Sequence, residues 1–186
     1  MISDRIWCPR QLWVVALPLF LGGCLLVGQT KYRVDVLADG SARVMICYVD
    51  LSSDAETDSA AAHDLDILLD SFASAGEGEH LPPGVRLVER RLALERDTLI
   101  AEVLLAAPDL AFVEGFSLPG GRPTVIIPDG QRITWTNGAV SRHQEGGLRI
   151  QWSDTVSHLV FDIQPINDTG ARSLARLYRE REAPER

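Results

Sequence analysis

Lys31-Tyr32-Arg33-Val34-Asp35-Val36 alternates polar and apolar residues, and Asp39-Gly40 follows it. A period of two sends Tyr32, Val34 and Val36 to one face of a strand and the charged residues to the other. Asp-Gly beside alternating segments is a strong hairpin signal, because both residues tolerate positive φ. The return segment, Ser41 to Asp50, places Ala42, Val44, Ile46 and Tyr48 on one face. An antiparallel hairpin is therefore predicted, and the rest of the chain must pack around it.

Working outward, Ser53-Asp54-Ala55-Glu56 reads as a capping box. Ala61, Leu65, Leu68, Leu69 and Phe72 recur at helical spacing, with Asp58, Asp64, Asp66 and Asp70 opposite them. A helix from Ser53 towards Gly76 is predicted, followed by a loop through Gly84. Residues 85–94 and 98–106 suit a second hairpin around Arg96-Asp97, and Pro108 suits the first turn of a short helix reaching about Glu114. Beyond the Gly115–Pro123 loop, turn signals at Pro128-Asp129-Gly130, Asn137-Gly138, Glu145-Gly146-Gly147 and Ser153-Asp154 separate short strand-like runs. These runs (124–127, 131–136, 148–152 and 156–163) read as an antiparallel meander. Asp168 or Thr169 would cap a final helix to about Arg181. The class is α+β: an antiparallel sheet with one main helix on a face and a short C-terminal helix.

The N-terminal segment carries a different message. Arg5 and Arg10 precede an apolar run from Leu12 to Leu21, and Gly22-Gly23 then lead into Cys24. A basic start, a short apolar stretch and small residues before a cut are the parts of an export signal. Leu21-Gly22-Gly23-Cys24 resembles the lipobox of bacterial lipoproteins. That resemblance implies cleavage before Cys24, with Leu21, Gly22 and Gly23 recognised by the signal peptidase and Cys24 acylated. Multiple acyl chains give stable membrane anchoring where one does not. The boundaries that follow are a signal peptide over 1–23, a lipidated N-terminus and short tether over 24–30, an α+β domain over 31–166, and a C-terminal helix and tail over 167–186. Three alternatives stand beside this reading. Leu12 to Gly28 reaches the lower end of the membrane-spanning range, so an uncleaved single-pass anchor is one. Ordinary secretion with cleavage elsewhere is the second, and a cytosolic protein with a buried N-terminal helix is the third.

Charge and cysteine count narrow the partners. The formal charge of −8 becomes about −9 when Arg5, Arg10 and Asp4 are removed. An acidic surface disfavours nucleic acid and anionic lipid, so the acyl chains rather than electrostatics must hold the protein to a membrane. Of three cysteines, Cys8 falls in the signal and Cys24 in the lipobox. Cys47 is left alone, with no disulfide to form, and reads as a small hydrophobe in a strand.

Candidate chemistry is sparse. Gly115-Phe116-Ser117-Leu118-Pro119 has proline where a nucleophile elbow needs glycine. Ser157 and His158 point to opposite faces of one strand, away from a shared triad with Asp154. His63, Asp64 and Asp66 make the only cluster with metal-like spacing, on a face that also reads as solvated carboxylates. Gly76-Glu77-Gly78-Glu79-His80 lacks zinc-helix order, and Gly120-Gly121-Arg122 lacks the Lys-Ser/Thr step of a phosphate loop. No catalytic residue, metal or cofactor is assigned. Trp135 and Trp152 lie in expected strands and read first as core or sheet-face packing; an exposed pair across neighbouring strands would instead be the first place to seek an apolar or glycan ligand.

Tyr32-x-Val34-x-Val36 and Asp39-Gly40-Ser41 after the lipobox resemble the LppM-type domain of some bacterial envelope lipoproteins. That resemblance supports an α+β sheet and carries over no functional residue. The expected function is a non-enzymatic, lipid-anchored envelope protein that binds another envelope protein or a small apolar ligand. Leu25 after the cysteine, rather than Asp, leans towards the outer membrane where two membranes exist. A hydrolase or metal-dependent enzyme assembled from distant residues is the rival, and a pocket gathering His143, His158 and carboxylates would mark it.

Overall fold

The computed structural model describes residues 25–73, 81–166 and 171–182. Cys24, the Leu21-Gly22-Gly23 triplet, residues 76–80 and the expected helix caps Asp168 and Thr169 lie outside them. The class is α+β: mostly antiparallel sheet, with two helices.

β1 (Leu25–Val36) and β2 (Ala42–Ser53) pair along their length around the Asp39-Gly40 turn. Asp39 accepts hydrogen bonds from the Ser41 N–H and hydroxyl, which closes the turn and lowers its carboxyl below the usual carboxylate range. Residues 25–30, expected as a tether, instead form the first half of β1, and Leu25 is already buried. Extra β2 partners past Asp50 provide the reason: Leu51, Ser52 and Ser53 pair with Val27, Leu26 and Leu25. β3 (Arg86–Glu95) and β4 (Thr98–Ala107) form the second hairpin, turning at Arg96 with φ of 57°.

The later strands are not one meander. β6 (Thr124–Ile127), β8 (Ala139–Arg142) and β9 (Leu148–Gln151) form a small sheet with the two-residue β5 (Phe116–Ser117). β7 (Gln131–Thr136) and β10 (His158–Pro165) join the large sheet instead, in the order β3-β4-β2-β1-β10-β7. Asn137-Gly138 is therefore a corner between sheets and not the turn of a hairpin. A side chain at Gly138 would meet Ile150 Cγ2 at 2.6 Å and Trp152 Cε2 at 2.8 Å, so the corner closes only over a bare backbone.

Helix boundaries also shift. α1 (Asp58–Ala73) starts five residues after Ser53, and Thr57 Oγ1 accepts from the Ala60 N–H at its start. Ser53 does not cap it, because it ends β2, fully buried, and donates to Asp64 Oδ2 at 2.5 Å. Asp64 thus faces inward and leaves the expected acidic face. The expected helix after Pro108 shrinks to one 3-10 turn, Leu110–Phe112, capped by Asp109. β11 (Arg172–Ser173) pairs with Ser53 and Ser52, and α2 (Ala175–Glu182) follows. Leu174 and Ala175 are buried, so this C-terminal piece belongs to the core and is not an appendage.

One hydrophobic cluster joins all layers. Tyr32, Val34, Val44, Ile46, Val103, Leu105, Leu159 and Phe161 line the inner face of the large sheet. Ala61, Leu65 and Leu68 of α1 share that cluster, as do Val125, Ile127, Ile150 and Trp152 from the small-sheet side. Each fully buried leucine contributes about 1.5–3 kcal/mol relative to exposure. Aromatic contacts lock the sheets together: Phe161 stacks on Tyr32 at 4.4 Å and packs against Trp152 at 5.9 Å and Phe116 at 6.1 Å.

Candidate functional site

With the inner face committed to the core, the outer face of the large sheet is the surface left for binding. Residues directly opposite across paired strands share a face. The register therefore lays out rows running across the sheet. His158, Asp35, Arg43, Ala106 and Arg86 form one row. Val160, Arg33, Met45, Leu104 and Glu89 form the next. Trp135, Asp162, Lys31, Cys47, Glu102 and Arg91 form the third. None of Met45, Cys47, Val49, Ile100 and Leu104 belongs to the core cluster. They make an apolar strip along β2 and β4, on the side away from the helices.

Charged side chains border that strip in pairs. Arg33 donates to Asp162 Oδ1 at 2.7 Å and lies 5.8 Å from the Trp135 ring centroid. Arg91 pairs with Glu102, and that carboxylate holds its guanidinium more firmly protonated than usual. A hollow of about 610 Å³ opens around Lys31, Cys47, Glu95, Arg96, Ile100 and Glu102. Burial, reinforced by the nearby Glu102 charge, pushes the Cys47 thiol up. The thiol form is a poor nucleophile. Cys47 thus acts as part of an apolar floor, as the sequence reading held, though on the outer face and only half-buried.

The two tryptophans do not form a common surface. Trp152 is 2 % exposed and donates through Nε1 to Asn137 Oδ1 at 2.7 Å, whereas Trp135 is 51 % exposed on the edge strand β7. Trp152 is therefore core packing, as its sequence reading has it, and the alternative of an exposed pair fails because the corner at Asn137-Gly138 sends β7 and the β8–β9 pair to different sheets. In the sequence Asn137 reads only as a turn residue. Its Oδ1 also accepts from the Val160 N–H at 2.9 Å, and its Nδ2 donates to the His158 carbonyl at 2.8 Å. The sequence signal for this role was an Asn-Gly pair two residues beyond a tryptophan, which is indistinguishable from a hairpin turn.

The residues weighed for chemistry are dispersed. His158 Nδ1 pairs with Asp35 Oδ1 at 2.5 Å, not with Asp154. Ser157 uses its carbonyl to accept from Val36 N–H. His143 sits in the β8–β9 turn of the small sheet, apart from His158. Asp66 pairs with Arg181, Asp64 bonds Ser53 and His63 is exposed, so their side chains do not converge. Among the described residues no group of three His, Cys, Asp or Glu side chains is placed to hold a metal ion. No described helix is long and apolar enough to cross a membrane. No family model, curated protein or solved structure matches the chain.

Proposed function

We propose that the chain is a bacterial envelope lipoprotein, acylated at Cys24, whose α+β domain binds a partner or small ligand without catalysing a reaction. The observation that carries this reading is Leu21-Gly22-Gly23-Cys24 directly behind the Leu12–Leu21 apolar run. The position of Leu25 supports it, because this buried residue is already in β1. An acylated neighbour would set that end of the sheet against the bilayer with no stalk between.

The charge near that end supports anchoring by lipid rather than by surface electrostatics. Arg172 Nη1 and Arg176 Nη2 are both spent on Asp58, at 2.6 and 3.0 Å. Asp50, Asp54 and Glu56 add to the negative field there. The LppM-like order of hairpin, capped helix and β-rich second half, and the lean towards an outer membrane, belong to the same proposal. A binding role fits an open sheet face with an apolar strip and paired charges.

Expression in a bacterium, with intact mass measured for the membrane-extracted protein and for Cys24→Ser, tests the reading. A mature species beginning at Cys24 with added acyl mass is expected, and Cys24→Ser should lose that mass and leave the membrane fraction. Recovery of a chain beginning at Met1 with no acyl mass would sink it.

A further inference from the structure

We propose that the Arg43–Ala106–Arg86 row is a binding site for a small, soluble phosphomonoester. Arg43 on β2 and Arg86 on β3 both stand directly opposite Ala106 on β4. With strands about 4.8 Å apart, their Cα atoms lie about 10 Å from each other across one small residue. Two long side chains at that spacing can bring both guanidinium forks onto one tetrahedral dianion above the alanine. Arginine forks match phosphate geometry through parallel N–H donors.

The two arginines are available for such a ligand. Arg33, Arg91, Arg172, Arg176, Arg179 and Arg181 each hold a carboxylate. Arg43 and Arg86 hold none among the described residues, although acidic residues outnumber basic ones 26 to 18. The register makes this pointed for Arg43. Asp35 lies directly opposite it, yet its Oδ1 is engaged by His158 from the other side. Asp39, on the same turn, is taken by Ser41. Asp35 and Asp39 thus each hold a neutral or weakly basic partner, and the two strong cations hold neither of them.

The hollow sets the size of the ligand. It encloses about 290 Å³ and is bordered by Leu37, Ala42, Gly84, Ala107 and Pro108 beside the arginines. That is the lower end of ligand-pocket volumes, with room for a phosphate and a compact apolar or ring body. The proposal does not depend on lipidation at Cys24. A soluble ligand is favoured over a membrane headgroup because a small anion meets only the two arginines, whereas an extended anionic bilayer would also face the exposed carboxylates of this acidic chain.

Calorimetric titration of residues 25–186 with phenyl phosphate and inorganic phosphate tests the proposal once thermal unfolding has shown that this fragment folds; otherwise the full chain in detergent is used. Phenyl phosphate should bind more tightly than inorganic phosphate. Arg43→Ala and Arg86→Ala should each weaken it about tenfold or more, the loss expected for one charge-assisted hydrogen bond. Arg142→Ala, on the small sheet, should bind like the parent. Both arginines are exposed, so the variants should keep their melting temperature. Unchanged affinity in either arginine variant, or no binding by the parent, overturns the site. Equal affinity for benzoate overturns the phosphate assignment. Binding to phosphatidic acid vesicles with none to phenyl phosphate overturns the soluble ligand.

Discussion

At the scale of single residues, Asn137 carries more structure than its exposure suggests. It satisfies the Trp152 indole N–H and the Val160 N–H with one oxygen and the His158 carbonyl with its amide. Removing the side chain leaves two donors without that partner, each costing about 1–3 kcal/mol where buried. Asn137→Ala should therefore destabilise by about 2–4 kcal/mol, and Asn137→Asp by less, since an acceptor remains. Urea unfolding followed by fluorescence checks this, and equal midpoints for Ala and parent would refute the role. None of these bonds was legible beforehand, because Asn-Gly favours tight turns whatever lies beyond it. By contrast, the inward set Tyr32, Val34, Val44 and Ile46 was legible, because alternation in a strand assigns faces residue by residue.

At the scale of elements, the first hairpin contains an adjustment that alternation alone misses. Asp50 has φ of 62°, and burial on β2 passes from Tyr48 to Leu51 rather than to residue 50. One left-handed residue re-aims the strand so that Leu51 and Ser53 rejoin the core. Gly28 lies opposite Asp50, and a Cβ there would come within 3.0 Å of the Asp50 Cβ. The kink needs both: an Asp that tolerates positive φ and a glycine that leaves space. Gly28→Val should destabilise by about 1–3 kcal/mol through overpacking. Asp50→Gly should be neutral or stabilising by up to about 1 kcal/mol, since it relieves the left-handed conformation. Thermal melts of the two variants decide, and a stable Gly28→Val protein would contradict the close approach. The same kink explains why β2 runs on to Ser53 where a helix cap was expected: Ser53 arrives facing inward and meets Asp64.

At the scale of the whole molecule, a single core spanning two sheets and two helices ties ionisation to unfolding. Burial pushes the Tyr32 and Tyr48 hydroxyls well above the ordinary tyrosine value. Both stay protonated in the native state while the unfolded chain releases their protons above about pH 10. The unfolded state then binds fewer protons, so stability is complete below pH 10 and falls as pH rises, by about 2.7 kcal/mol per unit for two groups. Tyr178 on α2 is only partly buried, and its hydroxyl is raised too, by desolvation and then by Glu182. Tyrosinate absorbance should therefore show it ionising before the other two, which follow only with loss of the far-ultraviolet sheet signal. Ionisation of all three tyrosines in an otherwise folded protein would contradict the buried placement.

Period-two alternation, turn chemistry and the Leu21–Cys24 pattern determined by themselves an antiparallel sheet protein of α+β class and the expectation of a lipid anchor. Those signals are local: a strand's faces and a turn's φ depend on neighbours in the chain. Which strands share a sheet does not. Only the tertiary structure decided that β7 and β10 leave the small sheet, that Trp152 is buried while Trp135 is exposed, and that Arg43 and Arg86 flank one alanine. Strand pairing is a competition among distant edges for hydrogen-bond partners and for the core face, and no window of sequence contains both competitors.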